Sequence, residues 1–191
     1  MALTDVDKEG RDLFVRWCKD ADCDVTIDAV GNIFARRPGQ DHSKAPVMMG
    51  SHLDTQPTGG RFDGVLGVLA GLEAIRTLND HAVETEAPVE VVCWTNEEGS
   101  RFAPAMMGSG VFTGVFELDE IRVKTDLDGI AFGDELERIG YAGAETPGSH
   151  DVGSYFELHI EQGPILEAED RTIGVVTAAT TTLPVRATSR K

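Results

Sequence analysis

The stretch VMMGSHLDTQPTGGRFDG, residues 47–64, carries His52, Asp54 and Asp63 where a short apolar run ends. VEVVCWTNEEG runs into Glu97 and Glu98, and SYFELHIEQGP surrounds His159. In extended backbone, residues two apart share a face. His52 can therefore bind a metal through one ring nitrogen while Asp54 orients the ring through the other. Glycines before Asp63 let the chain turn tightly and return that carboxylate to the strand ends. There it can bridge two cations about 3.5–4 Å apart, or cap the helix that begins at Val65. Adjacent carboxylates such as Glu97 and Glu98 raise each other's pKa unless a cation intervenes. Their side chains diverge, so one can bind metal while the other acts as general base towards a water; a solvated acidic loop is the plain alternative. His159, with Glu157 and Glu161 on the same face of an extended segment, calls for a metal or for a hydrogen-bond partner in the core. His42, His81 and His150 sit in polar stretches and read as surface residues. Oxygen and imidazole donors without thiolates suit zinc, manganese, cobalt or nickel. The chemistry such a set serves is metal-assisted hydrolysis.

The elements that must position these residues follow from periodicity. Thr4 with Asp7 forms a capping-box-like helix start, and Leu13, Phe14 and Trp17 give that helix an apolar face. In DVTIDAVGNIFARR, alternation from Val25 predicts a strand, Gly31-Asn32 a turn, and Ile33 to Arg37 a returning strand. VMMGS, VEVVCW, SYFELHI and RTIGVVT predict strands buried on both faces. Val65, Leu66, Leu69, Leu72, Ile75 and Leu78 recur at helical spacing, and DLDGIAFGDELERIG predicts a further helix. Strands alternating with helices give an α/β class with a mixed, mostly parallel sheet flanked by helices. In such sheets, sites form beyond the carboxyl ends of the strands. Three strands here exit into ligand-type residues.

Composition limits the function classes. The 191-residue chain is long enough for one sizeable core, with 41% hydrophobic residues. Its formal charge of -16 argues against nucleic acid or an anionic membrane as partner. That acidity would also suit a high-salt cytoplasm. The three cysteines, Cys18, Cys23 and Cys93, form no CxxC pair, which disfavours a disulfide framework or a thiolate zinc site. No apolar run approaches the roughly 20 residues that span a bilayer. The opening MALTDVDKEG lacks a signal-peptide pattern. The expectation is a cytoplasmic protein.

GSHLDTQPTGGRFDG, TNEEGSRF and ELHIEQGP, in this order, resemble the signature segments of the amidase/carbamoylase branch of the M20 metallopeptidase superfamily. The resemblance runs from about Leu3 to Thr177. That branch holds N-carbamoyl-L-amino-acid hydrolases, β-ureidopropionases and allantoate amidohydrolases. It implies a zinc-peptidase-like catalytic domain holding a pair of divalent ions. His52 and His159 would hold one metal, Glu98 the other, and Asp63 would bridge them. Glu97 would be the general base, Asp54 would stand behind His52, and Gln162 would touch substrate. The implied reaction cleaves a carbamoyl or ureido C–N bond of a small molecule, not a peptide bond, releasing ammonia, carbon dioxide and an amine.

Departures from the family pattern qualify this. Family members continue into a lid and dimerisation domain, through which full-length relatives pair as homodimers, and then return with a further metal-binding His. Neither feature is found here, so the second metal site reads as incomplete. Residues 1–177 read as the N-terminal part of the catalytic domain, and 178–191 as a non-family tail expected to be disordered. Weak or absent activity is the expectation for this chain alone. Competing readings are an inactive fragment binding at most one metal, a peptidase of the same superfamily, and a metal-free binding module. ELHIEQGP argues against the peptidase, because that branch places a carboxylate where His159 stands.

Overall fold

Helix α1, Asp5–Asp20, starts as its capping residues require: the Asp7 amide donates to Thr4 Oγ1 at 3.2 Å. Its inward face buries Phe14 and Cys18. The computed structural model describes residues 1–177, so the expected tail 178–191 lies outside the described residues. Strands β1 (Asp24–Ile27) and β2 (Ile33–Arg37) form the expected hairpin, with Ile27 paired to Ile33. Then come β3 (Val47–His52), α2 (Val65–Asp80) and β4 (Val89–Trp94). Three short helices follow, α3 (Met107–Phe112), α4 (Leu118–Arg122) and α5 (Phe132–Arg138), before β5 (Ser154–Phe156) and α6 (Ile165–Ala168).

The five strands form one sheet in the order β1-β2-β4-β3-β5. β1–β2 and β2–β4 are antiparallel, while β4–β3 and β3–β5 are parallel. The class is α/β with a mixed sheet flanked by helices, and its parallel half carries the exits of interest. Alternation sends successive residues of β4 to opposite faces. Val89, Val91 and Cys93 join Phe14, Val68, Leu72 and Ile75 in the main core under α1 and α2. Val92 and Trp94 pack with Phe34, Met48 and Phe112 on the other face. Each such aliphatic or aromatic side chain contributes about 1.5–3 kcal/mol when fully buried. Cys18, Cys23 and Cys93 are free and buried, as small core residues are.

Three sequence expectations are corrected. SYFELHI yields a strand of only three residues, all exposed, because β5 lies at the sheet edge. RTIGVVT forms no strand: residues 171–177 join no β-ladder among the described residues and are exposed. β-branched composition favours a strand only where a neighbouring strand supplies hydrogen bonds. His150 is not a free surface residue. Its ring packs edge-on against Phe34 at 4.8 Å and its Nε2 faces the buried Glu90 at 3.2 Å.

The chain divides into two compact units, Met1–Ile160 and Glu161–Lys191. In the second, the Glu161 carboxylate accepts from the backbone amides of Ile165 and Leu166 at 2.9 and 3.0 Å, which anchors the start of α6. No helix among the described residues is long and apolar enough to cross a membrane.

Candidate metal centre

β3, β4 and β5 run parallel, so their carboxyl ends open on the same edge of the sheet. His52 is the last residue of β3 and is 1% exposed. Its Nδ1 lies 2.8 Å from the Asp54 backbone oxygen. A carbonyl only accepts, so Nδ1 donates its proton there and Nε2 is the ring nitrogen turned to the site. His159 repeats the device: Nδ1 sits 2.8 Å from the Ile160 carbonyl, and Nε2 faces Asp63 Oδ1 at 3.2 Å.

Asp63 reaches this point through the turn that starts α2. The cap position of that helix is taken by Gly64 rather than Asp63, and the Val65 amide donates to the Asp63 carbonyl at 2.7 Å. Gly64 has φ +68°, and a Cβ there would stand 2.5 Å from three atoms of the His52 ring. Glycine thus permits both the turn and the seating of the imidazole. Donor atoms of His52, Asp63 and His159 all lie within 4.8 Å of one another.

The carboxylates at the other exits divide their work differently from the expectation. Asp54 Oδ1 is 3.8 Å from His52 Nδ1, too long for a hydrogen bond. The Asp54 carboxylate instead accepts from the backbone amides of Glu97 at 3.1 Å and Glu98 at 3.2 Å. Asp54 therefore orients His52 with its main chain and holds the β4 exit with its side chain. Burial pushes the Asp54 carboxyl up, opposed by His52 and by the Glu97 amide.

Glu97 Oε2 lies 3.3 Å from His52 Nε2, with about a third of its side chain exposed. Burial raises its carboxyl above the ordinary range; His52 opposes this, and Asp54, Glu98 and Glu157 add to it. A carboxylate shifted upward is better matched to accepting a proton near neutral pH. Glu98 Oε2 accepts from Gln56 Nε2 at 2.8 Å, while its Oε1 is buried with no hydrogen-bond partner. A buried carboxylate oxygen without a hydrogen-bond partner is one that a cation would satisfy. Imidazole and carboxylate donors without thiolate fit zinc or manganese.

The structure thus brings His52, Asp63 and His159 into one group, with Glu97 against His52. Glu98 stays outside that three-residue group. Gln162 belongs to the second unit. Glu157 does not share a strand face with His159; its carboxylate accepts from Ser51 Oγ at 2.5 Å and from the Tyr155 hydroxyl at 2.7 Å. Sequence reading placed Gly64 at the opening of the next helix but did not foresee its packing against the His52 ring, and it missed Gln56, for which no local signal existed.

A mixed α/β sheet with histidine and aspartate donors at the carboxyl ends of parallel strands defines a candidate hydrolytic metal centre. The chain belongs to Peptidase family M20/M25/M40, whose profile matches residues 48–189. It is 58% identical over 175 residues to an N-carbamoyl-L-amino-acid amidohydrolase of Rhizobium meliloti, covering 92% of this chain and 42% of that protein. It is 42% identical over 163 residues to a ureidoglycolate hydrolase of Arabidopsis thaliana, covering 81% of this chain and 34% of the relative. Among solved structures, an amidase of the hydantoinase/carbamoylase family from Burkholderia multivorans superposes with a TM-score of 0.88 at 64% identity. That match covers 89% of this chain and 41% of the other. The chain spans about a third to two fifths of the length of these relatives.

Proposed function

We propose that this chain carries the N-terminal catalytic half-site of a metal-dependent amidohydrolase acting on a linear carbamoyl or ureido C–N bond. The observation that carries the reading is the convergence of His52, Asp63 and His159 within 4.8 Å, with Glu97 3.3 Å from His52. The names of the relatives, an N-carbamoyl-L-amino-acid amidohydrolase and a ureidoglycolate hydrolase, support the substrate class.

His52, Asp63 and His159 would hold one divalent ion, and the unpaired Glu98 Oε1 would turn to a second, with Asp63 shared between them. Ions bound there would supply Lewis acidity, lowering the pKa of water and polarising the scissile carbonyl. Glu97 would take a proton from the attacking water as the new C–O bond forms and then return it to the leaving nitrogen, so that the C–N bond breaks with a neutral amine departing. Asp54 fixes the position of Glu97 by holding its amide. A cavity of about 420 Å³ beside Glu97, lined by Met48, Trp94, Phe112, Tyr155 and Glu157, is of a size that suits a small molecule. Gln162 would contact substrate.

A second reading, a polypeptide that binds a single metal without turnover, is favoured by one observation. Among the described residues, the metal-capable group comprises His52, Asp63 and His159 without Glu98. The deciding experiment loads the chain with zinc or manganese and follows ammonia release from N-carbamoyl-L-amino acids, ureidoglycolate and allantoate beside a dipeptide control. Ammonia from the carbamoyl or ureido compounds supports the proposal. Cleavage of the dipeptide alone would overturn the substrate class. Bound metal with no turnover would establish the second reading.

A further inference from the structure

We propose that Asn32 is a positioning residue for the turn that carries Glu97 and Glu98; this rests on the functional reading above. β4 leaves the sheet at Trp94, where its last partner is His52. Beyond that point no strand supplies hydrogen bonds, so side chains and neighbouring loops must hold the turn. Asp54 holds its far end through the Glu97 and Glu98 amides. Asn32 holds its near end: the Thr95 amide donates to Asn32 Oδ1 at 3.0 Å.

The Asn32 amide cannot rotate away from this contact. Its Nδ2 donates to Asp28 Oδ2 at 2.9 Å and to the Gly108 carbonyl at 3.0 Å. Both partners only accept, which fixes the nitrogen on their side and the oxygen on Thr95. Asp28 is itself held in place, accepting from the backbone amides of Val30 and Asn32 at 3.1 and 2.8 Å. From the same side, the buried Arg11 guanidinium donates to Thr95 Oγ1 at 3.3 Å and to the Gly31 carbonyl at 3.0 Å. Gly108 closes the cage: its amide donates to the Thr95 carbonyl at 2.9 Å, and a Cβ there would stand 2.2 Å from Asn32 Oδ1. Asn32 is fully buried and makes none of its side-chain hydrogen bonds to the metal-centre residues. It acts on Glu97 and Glu98 only through the backbone between them.

The test uses residue-resolved amide hydrogen exchange on the ¹⁵N-labelled full chain, with zinc affinity as the second readout. Asn32→Ser shortens the side chain and removes the grip on Thr95. Asp28→Asn removes the acceptor that holds Asn32 Nδ2 at 2.9 Å, and the Asp28 side chain makes no hydrogen bond to the turn itself. Losing a buried hydrogen bond should speed exchange at Thr95, Glu97 and Glu98 about tenfold or more in both variants. Val91 to Cys93 in β4 and Leu72 in α2 should change less than threefold. Zinc affinity at His52, Asp63 and His159, none of which lies on the turn, should hold within threefold.

Uniform acceleration along β4, unchanged exchange at Glu97 and Glu98, or unfolding of both variants would each overturn the proposal by making Asn32 a general stability residue. Where Asn32→Ser alone fails to fold, Asp28→Asn decides by the same criteria. Wild-type chain that takes up no zinc would sink the functional reading instead, and the exchange pattern would still report on Asn32.

Discussion

Replacing Gly64 by Ala should disable the metal centre from a position that donates no ligand. Two effects add at this site. Gly64, at φ +68° and ψ -49°, centres a strained γ-turn closed by the Val65 amide, a conformation that costs an L-residue about 1–3 kcal/mol. The new Cβ would sit 2.5 Å from Cε1, Nδ1 and Nε2 of His52, whereas ordinary contact begins at 3.4 Å. The ring must therefore retreat by about 1 Å, five times the tolerance of about 0.2 Å on a metal–ligand distance. It has little room, being 1% exposed and tied to the Asp54 carbonyl. Overpacking of this kind costs about 1–3 kcal/mol, which brings the total loss of stability to about 2–6 kcal/mol. Zinc affinity should fall at least about 10–100-fold, the usual penalty for disturbing a ligand's support. The assay is zinc competition against a chromophoric chelator, beside a urea unfolding curve that confirms the variant is folded. Gly60→Ala is the matched control, because a Cβ there meets nothing within 4 Å; it should bind as wild type does. A folded Gly64→Ala chain with zinc affinity within threefold of wild type would refute the placement of His52.

Other substitutions probe the supports around the site. Asp54→Asn leaves one oxygen for two backbone donors, the amides of Glu97 and Glu98. An orphaned buried donor costs about 1–3 kcal/mol, and the urea midpoint should drop accordingly; a midpoint equal to wild type would contradict the assignment. Arg11→Met removes a fully buried guanidinium and strands the Asp7 carboxylate 2.8 Å away, which should destabilise the fold by about 3–5 kcal/mol; denaturant unfolding reads this directly. Burial lifts the Asp28 carboxyl to about 6, against the hydrogen bonds from Asn32 and Val30 that lower it. A carboxyl whose folded pKa is raised contributes stability that is complete below its unfolded pKa and disappears as pH rises through the folded value. Wild type should therefore gain stability relative to Asp28→Asn as pH falls from about 6 to about 4, with no relative change above pH 7; a difference that stays flat across the window would contradict the burial argument.

The legible parts of this molecule are those in which local pattern and tertiary demand coincide. Thr4, the helical repeat through Leu72 and Ile75, and the apolar runs of β3 and β4 each announce an element whose neighbours then bury it. The ligand-type residues were legible for the same reason, since parallel strands bring their exits together at one edge. What was not legible depends on partners distant in sequence. Asp54 two residues after His52 looked like a ring orienter, but its carboxylate direction is decided by amides 43 and 44 residues away. Asn32 looked like a turn residue; its role comes from Thr95 and Gly108, 63 and 76 residues further on. ELHIEQG and RTIGVVT have strand-like composition, but pairing depends on an adjacent strand, and neither segment pairs with one among the described residues. α3, MGSGVF, carries two glycines and gave no helical signal.

The central claim is that His52, Asp63 and His159 together hold a divalent ion. Equilibrium dialysis of the folded chain against zinc, with His159→Ala in parallel and metal content read by mass spectrometry, tests it most directly. The account expects at least one zinc per wild-type chain and loss of that zinc in the variant at the same free concentration. A folded wild-type chain that retains no zinc, or a variant that retains as much as wild type, would contradict it.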